Sequence, residues 1–141
     1  FDLENGHVIP AMIRKFYEAR RNNTDVVLWG SGQPLREFTY SIDIAKVLLF
    51  LLENYEGEPP INIGSTREIS IKKVSEIISK EIGFTGKVLW DVTKPEGQLK
   101  KPSSNQKFLD ICPNFCYTDL ECGLRDSVSW FKNNYPNVRG L

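Results

Sequence analysis

Residues 29–46 read WGSGQPLREFTYSIDIAK, and this stretch decides how the fold is interpreted. The preceding residues, 26–29, are β-branched or apolar and predict a short strand, which Gly30-Ser31-Gly32 ends. A dinucleotide-binding unit would continue as G-x-G-x-x-G into a helix, but here Pro34 and an extended run over 36–40 follow. We therefore predict a turn that joins two strands, and not a phosphate-binding loop.

Apolar residues at helical spacing predict two helices around this stretch. The first covers 10–21, with Pro10 in the first turn, where a missing amide costs no hydrogen bond. Ser41 is expected to cap the second helix, which carries the apolar run 47–52. The second helix is so apolar that we expect it to be buried.

Two further helices are predicted nearer the carboxyl end. Ser70 is expected to cap an amphipathic helix that ends at Gly83. The last helix is expected to begin with a capping box of Thr118 and Glu121, in which each residue satisfies an amide at the helix start. Its predicted inner stripe is Leu120, Leu124, Val128 and Phe131.

Short strands are predicted at 60–64 and 87–91, so helices and strands alternate along the chain. This alternation indicates an α/β domain. The polar segment 94–106 shows no periodic pattern, and a loop of this length is usually functional or disordered.

The composition limits the classes of function. The chain has 141 residues, of which 40% are hydrophobic, as in one globular domain. Its 18 acidic and 18 basic residues cancel, so no global field would gather nucleic acid or an anionic membrane. The longest apolar run is far shorter than the roughly 20 residues of a membrane span. We expect a soluble protein that binds any anionic ligand through locally placed cations.

The residue types alone leave the candidate site open. Cys112, Cys116 and Cys122 predict free thiols in a reducing cytosol, and no metal site is expected. Considered by type, Trp29 is typical of a core residue and Arg36 of a solvated charge. The chain has no Tyr-x-x-x-Lys pair, so the hydride chemistry of short-chain reductases cannot be assigned to it alone.

A series of motifs gives these residues a context. In chain order they are His7-Val8-Ile9-Pro10, Trp29-Gly30-Ser31-Gly32, Pro34-Leu35-Arg36-Glu37-Phe38, Asn62-Ile63-Gly64, and Lys94-Pro95-Glu96-Gly97 with Lys100-Lys101. The series resembles the carboxyl-terminal half of the GDP-L-fucose synthase family, within the extended short-chain dehydrogenase/reductases, over essentially the whole chain. W-G-x-G and R-x-F are shared with other nucleotide-sugar epimerases and dehydratases, whereas H-V-I-P and K-P-E-G narrow the choice.

The resemblance implies roles for particular residues. His7 matches a histidine that acts as the acid in epimerisation and also lies at the edge of the cofactor. An imidazole suits this role because its pKa lies near neutrality. The positions that match substrate-binding residues are Lys15, Trp29, Arg36, Glu96 and Lys101. The segment 94–106 would then close over the nucleotide.

The resemblance also implies the wider activity. Residues 1–141 would form the carboxyl-terminal substrate-binding lobe of a longer enzyme, with the amino-terminal Rossmann domain lying outside the given chain. That enzyme would use NADP to convert GDP-4-keto-6-deoxy-D-mannose to GDP-L-fucose by 3,5-epimerisation and 4-reduction, as a cytoplasmic homodimer. The 141-residue chain alone would be inactive. The alternatives are the substrate lobe of another nucleotide-sugar epimerase or dehydratase, and a binding module without chemistry.

Overall fold

The computed structural model describes residues 1–4, 6–57 and 59–141 of the chain. Its helices are α1 (Val8–Asn22), α2 (Ser41–Asn54), α3 (Ile71–Ile82), α4 (Gln106–Ile111) and α5 (Leu120–Asn134). Its strands are β1 (Val26–Trp29), β2 (Leu35–Glu37), β3 (Glu68–Ser70) and β4 (Val88–Asp91). The α/β class predicted from the sequence is confirmed.

The strands form two separate sheets of two strands each. β1 pairs with β4 in parallel, with Val26 opposite Val88, and β2 pairs with β3 in antiparallel fashion, with Arg36 opposite Ile69. The turn after Trp29 therefore carries the chain from one sheet to the other, as the sequence predicts for a connection between strands. Strand β2 ends at Glu37, so the predicted extended run over 36–40 is only partly a strand.

The core lies between α1, α3 and α5. Phe16 of α1, Ile78 of α3 and Phe131 of α5 are fully buried, and the inner faces of β1 and β4 close the cluster from one side. Burial of apolar area of this kind is the main source of folding free energy. Three residues of the predicted inner stripe of α5, namely Leu124, Val128 and Phe131, are buried as expected.

Helix α2 contradicts the prediction that it is buried. Only Asp43 and Val47 are buried along it, whereas Leu49 and Leu52 are 65% and 81% exposed. Its amino-terminal cap is Tyr40, and no side chain caps it, so the expected cap by Ser41 is also wrong. High apolar content does not bury a helix unless other elements of the chain cover its faces.

The buried carboxylate of Asp43 also corrects the predicted start of α5. Asp43 accepts hydrogen bonds from the amide (2.6 Å) and the hydroxyl (2.9 Å) of Thr118. The helix is capped instead by Asp119, whose carboxylate accepts from the amide of Glu121 at 3.0 Å. The hydroxyl of Thr118 is thus used to hold α2 and not to cap α5. The cap of α3 is as predicted, with Ser70 accepting from the amide of Lys73.

The segment 60–64 is not a strand, contrary to expectation. Its end is fixed by side chains, since the amide of Asn105 donates to the carbonyl of Gly64 and the hydroxyl of Tyr117 accepts from the amide of Gly64. These contacts replace the backbone pairing of a sheet. A short apolar run therefore marks an ordered loop here.

The polar segment 94–105, hereafter the strap, is ordered along β2 and β3. The amide of Leu35 donates to the carbonyl of Leu99 at 2.8 Å. The carboxylate of Glu37 accepts from the amide and the hydroxyl of Ser103. Glu68, which lies opposite Glu37 in the sheet, has Lys100 at 4.0 Å. The strap thus supplies hydrogen-bond donors to Glu37 and a cation to Glu68, whose buried Oε1 has no hydrogen-bond partner among the described residues. Helix α4, which the sequence pattern does not predict, follows it.

Candidate functional site

The turn between β1 and β2 requires glycine at two positions. Gly30 and Gly32 have φ of +80° and +74°, which side chains other than glycine rarely adopt. A Cβ on Gly30 would lie 2.6 Å from the Cβ of Glu96, and one on Gly32 would lie 2.6 Å from the ring of Trp90. The glycines therefore allow the strap and β4 to approach the turn closely.

A cavity of about 320 Å³ opens beside this turn. Its lining residues are Val8, Trp29, Gly32, Pro34, Arg36, Glu37, Phe38, Ile71, Pro95 and Glu96. Three of the residues to which the motifs point come together here: Trp29 and Arg36 from the two ends of the turn, and Glu96 from a distant part of the chain. We call this the Trp29 cavity.

Trp29 is 50% exposed and forms a wall of the Trp29 cavity. The interpretation of this indole as a core residue is therefore wrong. The ammonium nitrogens of Lys15 and Lys94 lie 5.5 Å and 5.6 Å from the centroid of its ring, within the range of cation–π attraction. An aromatic surface flanked by two cations is suited to a planar or anionic ligand.

Lys15 lies in a second, smaller cavity of about 190 Å³ that shares Val8, Trp29 and Ile71 with the first. Its ammonium group donates to the carbonyl of Val27 at 3.0 Å. Partial burial lowers the pKa of Lys15 from its ordinary value, because desolvation disfavours the charged form. Lys15 is thereby joined to the Trp29 cavity through the indole itself.

The two carboxylates of the Trp29 cavity are engaged by the protein. Glu96 accepts a hydrogen bond from the amide of Ser31, and bonding with Ser31 lowers the pKa of this carboxyl group. Glu37 is held by Ser103. The guanidinium of Arg36 donates to the carbonyl of Leu35 at 2.6 Å and keeps further donors. The free hydrogen-bonding capacity of the cavity thus favours an acceptor-rich, anionic ligand.

The structure does not place His7 and Lys101 with the other predicted residues. His7 is exposed, precedes α1 as its cap residue and bonds to it only through its backbone, while its neighbour Val8 lines the cavity. Lys101 is exposed and is not among the lining residues. Phe38 and Lys94 belong to the R-x-F and K-P-E-G motifs, but sequence reasoning gave neither of them a role, and their place in these motifs was the only signal that could have found them.

A larger and more polar cavity, of about 640 Å³, lies on the other side of Phe38. It is lined by charged groups of both signs, among them Arg67, Lys73, Asp119 and Glu121. The ion pair between Arg67 and Asp119 occupies part of it. No sequence motif pointed to this cavity.

The described residues contain neither a cluster of metal-binding side chains nor a membrane-spanning helix. In the ranges 1–4, 6–57 and 59–141, no group of three or more His, Cys, Asp or Glu side chains is arranged to hold a metal ion. No helix in these ranges is both long and apolar enough to cross a membrane. The three cysteines are free thiols, with Cys116 and Cys122 exposed.

Known proteins share the fold and part of the sequence of this chain. Residues 1–64 match the NAD dependent epimerase/dehydratase family. The structure superposes on a GDP-L-fucose synthetase of Naegleria fowleri, solved bound to NADP, with a TM-score of 0.96 and 44% identity over 99% of this chain and 44% of that one. The fold is thus that of part of an extended short-chain dehydrogenase/reductase.

Within this class, the chain is similar over its whole length to GDP-L-fucose synthases. It is 40% identical to the GDP-L-fucose synthase of Dictyostelium discoideum over 99% of the chain, and 39% identical to GDP-L-fucose synthase 1 of Arabidopsis thaliana over 97%. The resemblance read from the motifs is confirmed. The chain spans less than half the length of these relatives, 44% and 42% respectively.

Proposed function

We propose that the chain is the substrate-binding lobe of an NADP-dependent GDP-L-fucose synthase. The whole enzyme would convert GDP-4-keto-6-deoxy-D-mannose to GDP-L-fucose by 3,5-epimerisation and 4-reduction. The observation that carries the proposal is the meeting of Trp29, Arg36 and Glu96 at one cavity, in a chain similar along its length to these synthases. A second support is α2, whose apolar face is uncovered in the described residues and suits contact with a further part of the enzyme.

The geometry suggests how the lobe holds the substrate. A nucleotide sugar brings about two negative charges in its diphosphate, and a planar guanidinium can pair with phosphate oxygens through two hydrogen bonds. Arg36 supplies that group, and Lys15 and Trp29 line the adjoining wall. The lobe therefore binds and orients the sugar, while NADP would bind mainly to the part of the enzyme that this chain does not contain.

Activity of the full-length enzyme tests the reaction. With GDP-4-keto-6-deoxy-D-mannose and NADPH, oxidation of NADPH and formation of GDP-L-fucose are expected.

The Arg36→Ala enzyme should bind GDP more weakly by about 1.5 to 3 kcal/mol, the range for a hydrogen bond to a charged group. A folded enzyme that turns over UDP- or dTDP-sugars instead would identify the alternative, another nucleotide-sugar epimerase. The match of residues 1–64 to the epimerase/dehydratase family supports this alternative. Binding of GDP without any turnover would identify a binding module.

The role of His7 needs a test that separates the two half-reactions. As the acid in epimerisation, His7 would protonate the sugar carbon, whereas reduction would not need it. The His7→Asn enzyme should therefore lose solvent deuterium exchange at the epimerised carbons more than hydride transfer. An equal loss of both would show a structural role.

The assembly and location of the enzyme complete the proposal. A cytoplasmic homodimer is expected, and the three free thiols suit a reducing compartment. The mass of the full-length protein by light scattering tests the dimer. Cell fractionation tests the location, and recovery in a secreted fraction would contradict it.

A further inference from the structure

The lysine nearest the Trp29 indole on the strap is Lys94, which the motif comparison did not mark as a binding residue. Its amide donates to the carbonyl of Asp91 at 3.3 Å, and two residues later Glu96 is fixed to Ser31. The backbone at Lys94 is thus held at the rim of the Trp29 cavity, while its long side chain keeps its rotational freedom.

The ammonium group of Lys94 has no strong acceptor in the described residues. It forms no ion pair within 4.0 Å in these ranges, in contrast to Lys100 on the same strap, which has Glu68. The carboxylate of Asp91 feels the charge of Lys94 but is bound by Thr93, whose hydrogen bonds are the main cause of the lowered pKa of Asp91. The ammonium group instead lies over the ring of Trp29.

The energies favour transfer of this ammonium group to a bound anion. An exposed cation–π contact contributes less binding free energy than a hydrogen bond to a charged group. Trp29 forms the wall common to both adjoining cavities, so a ligand that covers it meets Lys15 on one side and Arg36 on the other. Lys94 is the third cation within reach of that wall.

We propose that Lys94 is a further substrate-binding residue. Its ammonium group moves away from the Trp29 ring and binds the diphosphate of the nucleotide sugar. This inference rests on the function proposed above. It assigns to the strap a direct contact with the ligand, in addition to its role of holding Glu96 against the turn.

Calorimetric titration of the full-length enzyme with GDP and with guanosine tests the assignment. The Lys94→Gln variant should bind GDP about 10-fold more weakly and with a smaller dependence on salt, because one charged contact to phosphate is lost. Its affinity for guanosine should not change. Lys94→Arg should retain binding to within about 2-fold, since guanidinium groups also bind phosphate. The matched control is Lys80→Gln, at an exposed lysine in the last turn of α3 and away from the lining of the cavity.

The outcomes separate this inference from the proposed function. If Lys94→Gln binds GDP as the wild type does, or loses guanosine to the same degree, the assignment of Lys94 is overturned and the proposed function stands. If the wild-type enzyme binds no GDP at all, both are overturned. Because Lys94 is exposed, we expect an unchanged circular dichroism spectrum and melting temperature for each variant, which would exclude misfolding.

Discussion

Helices α2 and α3 are both rich in apolar residues, yet the molecule uses them in opposite ways. Five residues of α3 are buried, with Val74 and Ile78 at 0% exposure, whereas α2 buries only Asp43 and Val47. Helix α3 is amphipathic and turns its single apolar face to α1 and α5. Helix α2 is apolar on several faces and meets the rest of the described chain mainly through Asp43 and Val47. Burial therefore follows from the partners that a helix has, and not from its hydrophobicity alone.

The largest difference between the helices should appear on truncation of their side chains. Ile78→Ala should lower the free energy of unfolding by about 2 to 5 kcal/mol, because it removes transfer free energy and leaves a cavity. Leu52→Ala, at a side chain that is 81% exposed, should change it by less than about 0.5 kcal/mol. Urea denaturation measures both, and equal losses would contradict the contrast.

The attachment of α2 through its buried carboxylate should give the next largest effect. Asp43→Ala leaves the amide and hydroxyl of Thr118 without their acceptor, at a cost of about 1 to 3 kcal/mol. Lys46→Ala removes only the exposed partner of Asp43, 3.7 Å away, and should cost at most about 1 kcal/mol. Thermal melts of the two variants measure these losses of stability. A larger loss for Lys46→Ala than for Asp43→Ala would show that the ion pair holds α2.

A smaller effect separates the caps of the two helices. Ser70 accepts from the amide of Lys73 at the start of α3, so Ser70→Ala should cost about 1 kcal/mol. Ser41 begins α2, where no side chain caps the helix, so Ser41→Ala should be neutral to within about 0.5 kcal/mol. A cost at Ser41 as large as that at Ser70 would show that α2 is capped in solution.

The smallest effect in the 141-residue chain is expected for polar substitution of the exposed face of α2. Leu49→Gln should leave its stability within about 0.5 kcal/mol and reduce self-association, because an exposed apolar group is removed. In the longer enzyme proposed above, the same change should lower the free energy of unfolding if that enzyme covers α2. Lys80→Gln is the control at an exposed helical position. If Leu49→Gln changes the stability of both proteins equally little, the face of α2 is uncovered in the longer protein as well.

Local patterns predicted most of the regular elements. The strand over 26–29, the helix that Ser70 begins and Gly83 ends, and the inner stripe of α5 follow from β-branching, capping and helical spacing. The loop at 60–64 escaped prediction because its hydrogen bonds come from Asn105 and Tyr117, which are distant in the sequence. The cap of α5 was predicted wrongly for a similar reason, since Thr118 donates its hydrogen bonds to Asp43 on another helix.

The sequence by itself determined the α/β class, the glycine turn after Trp29 and, through ordered motifs, the kinship with GDP-L-fucose synthases. These three features depend on local backbone preferences and on the order of residues, both of which can be read from the sequence. Only the tertiary structure decided that Trp29 is half exposed, that α2 lies largely uncovered, and that Arg36 and Glu96 meet at one cavity with Lys94 at its rim. Those features depend on which distant surfaces pack together, and no periodicity within a segment contains that information.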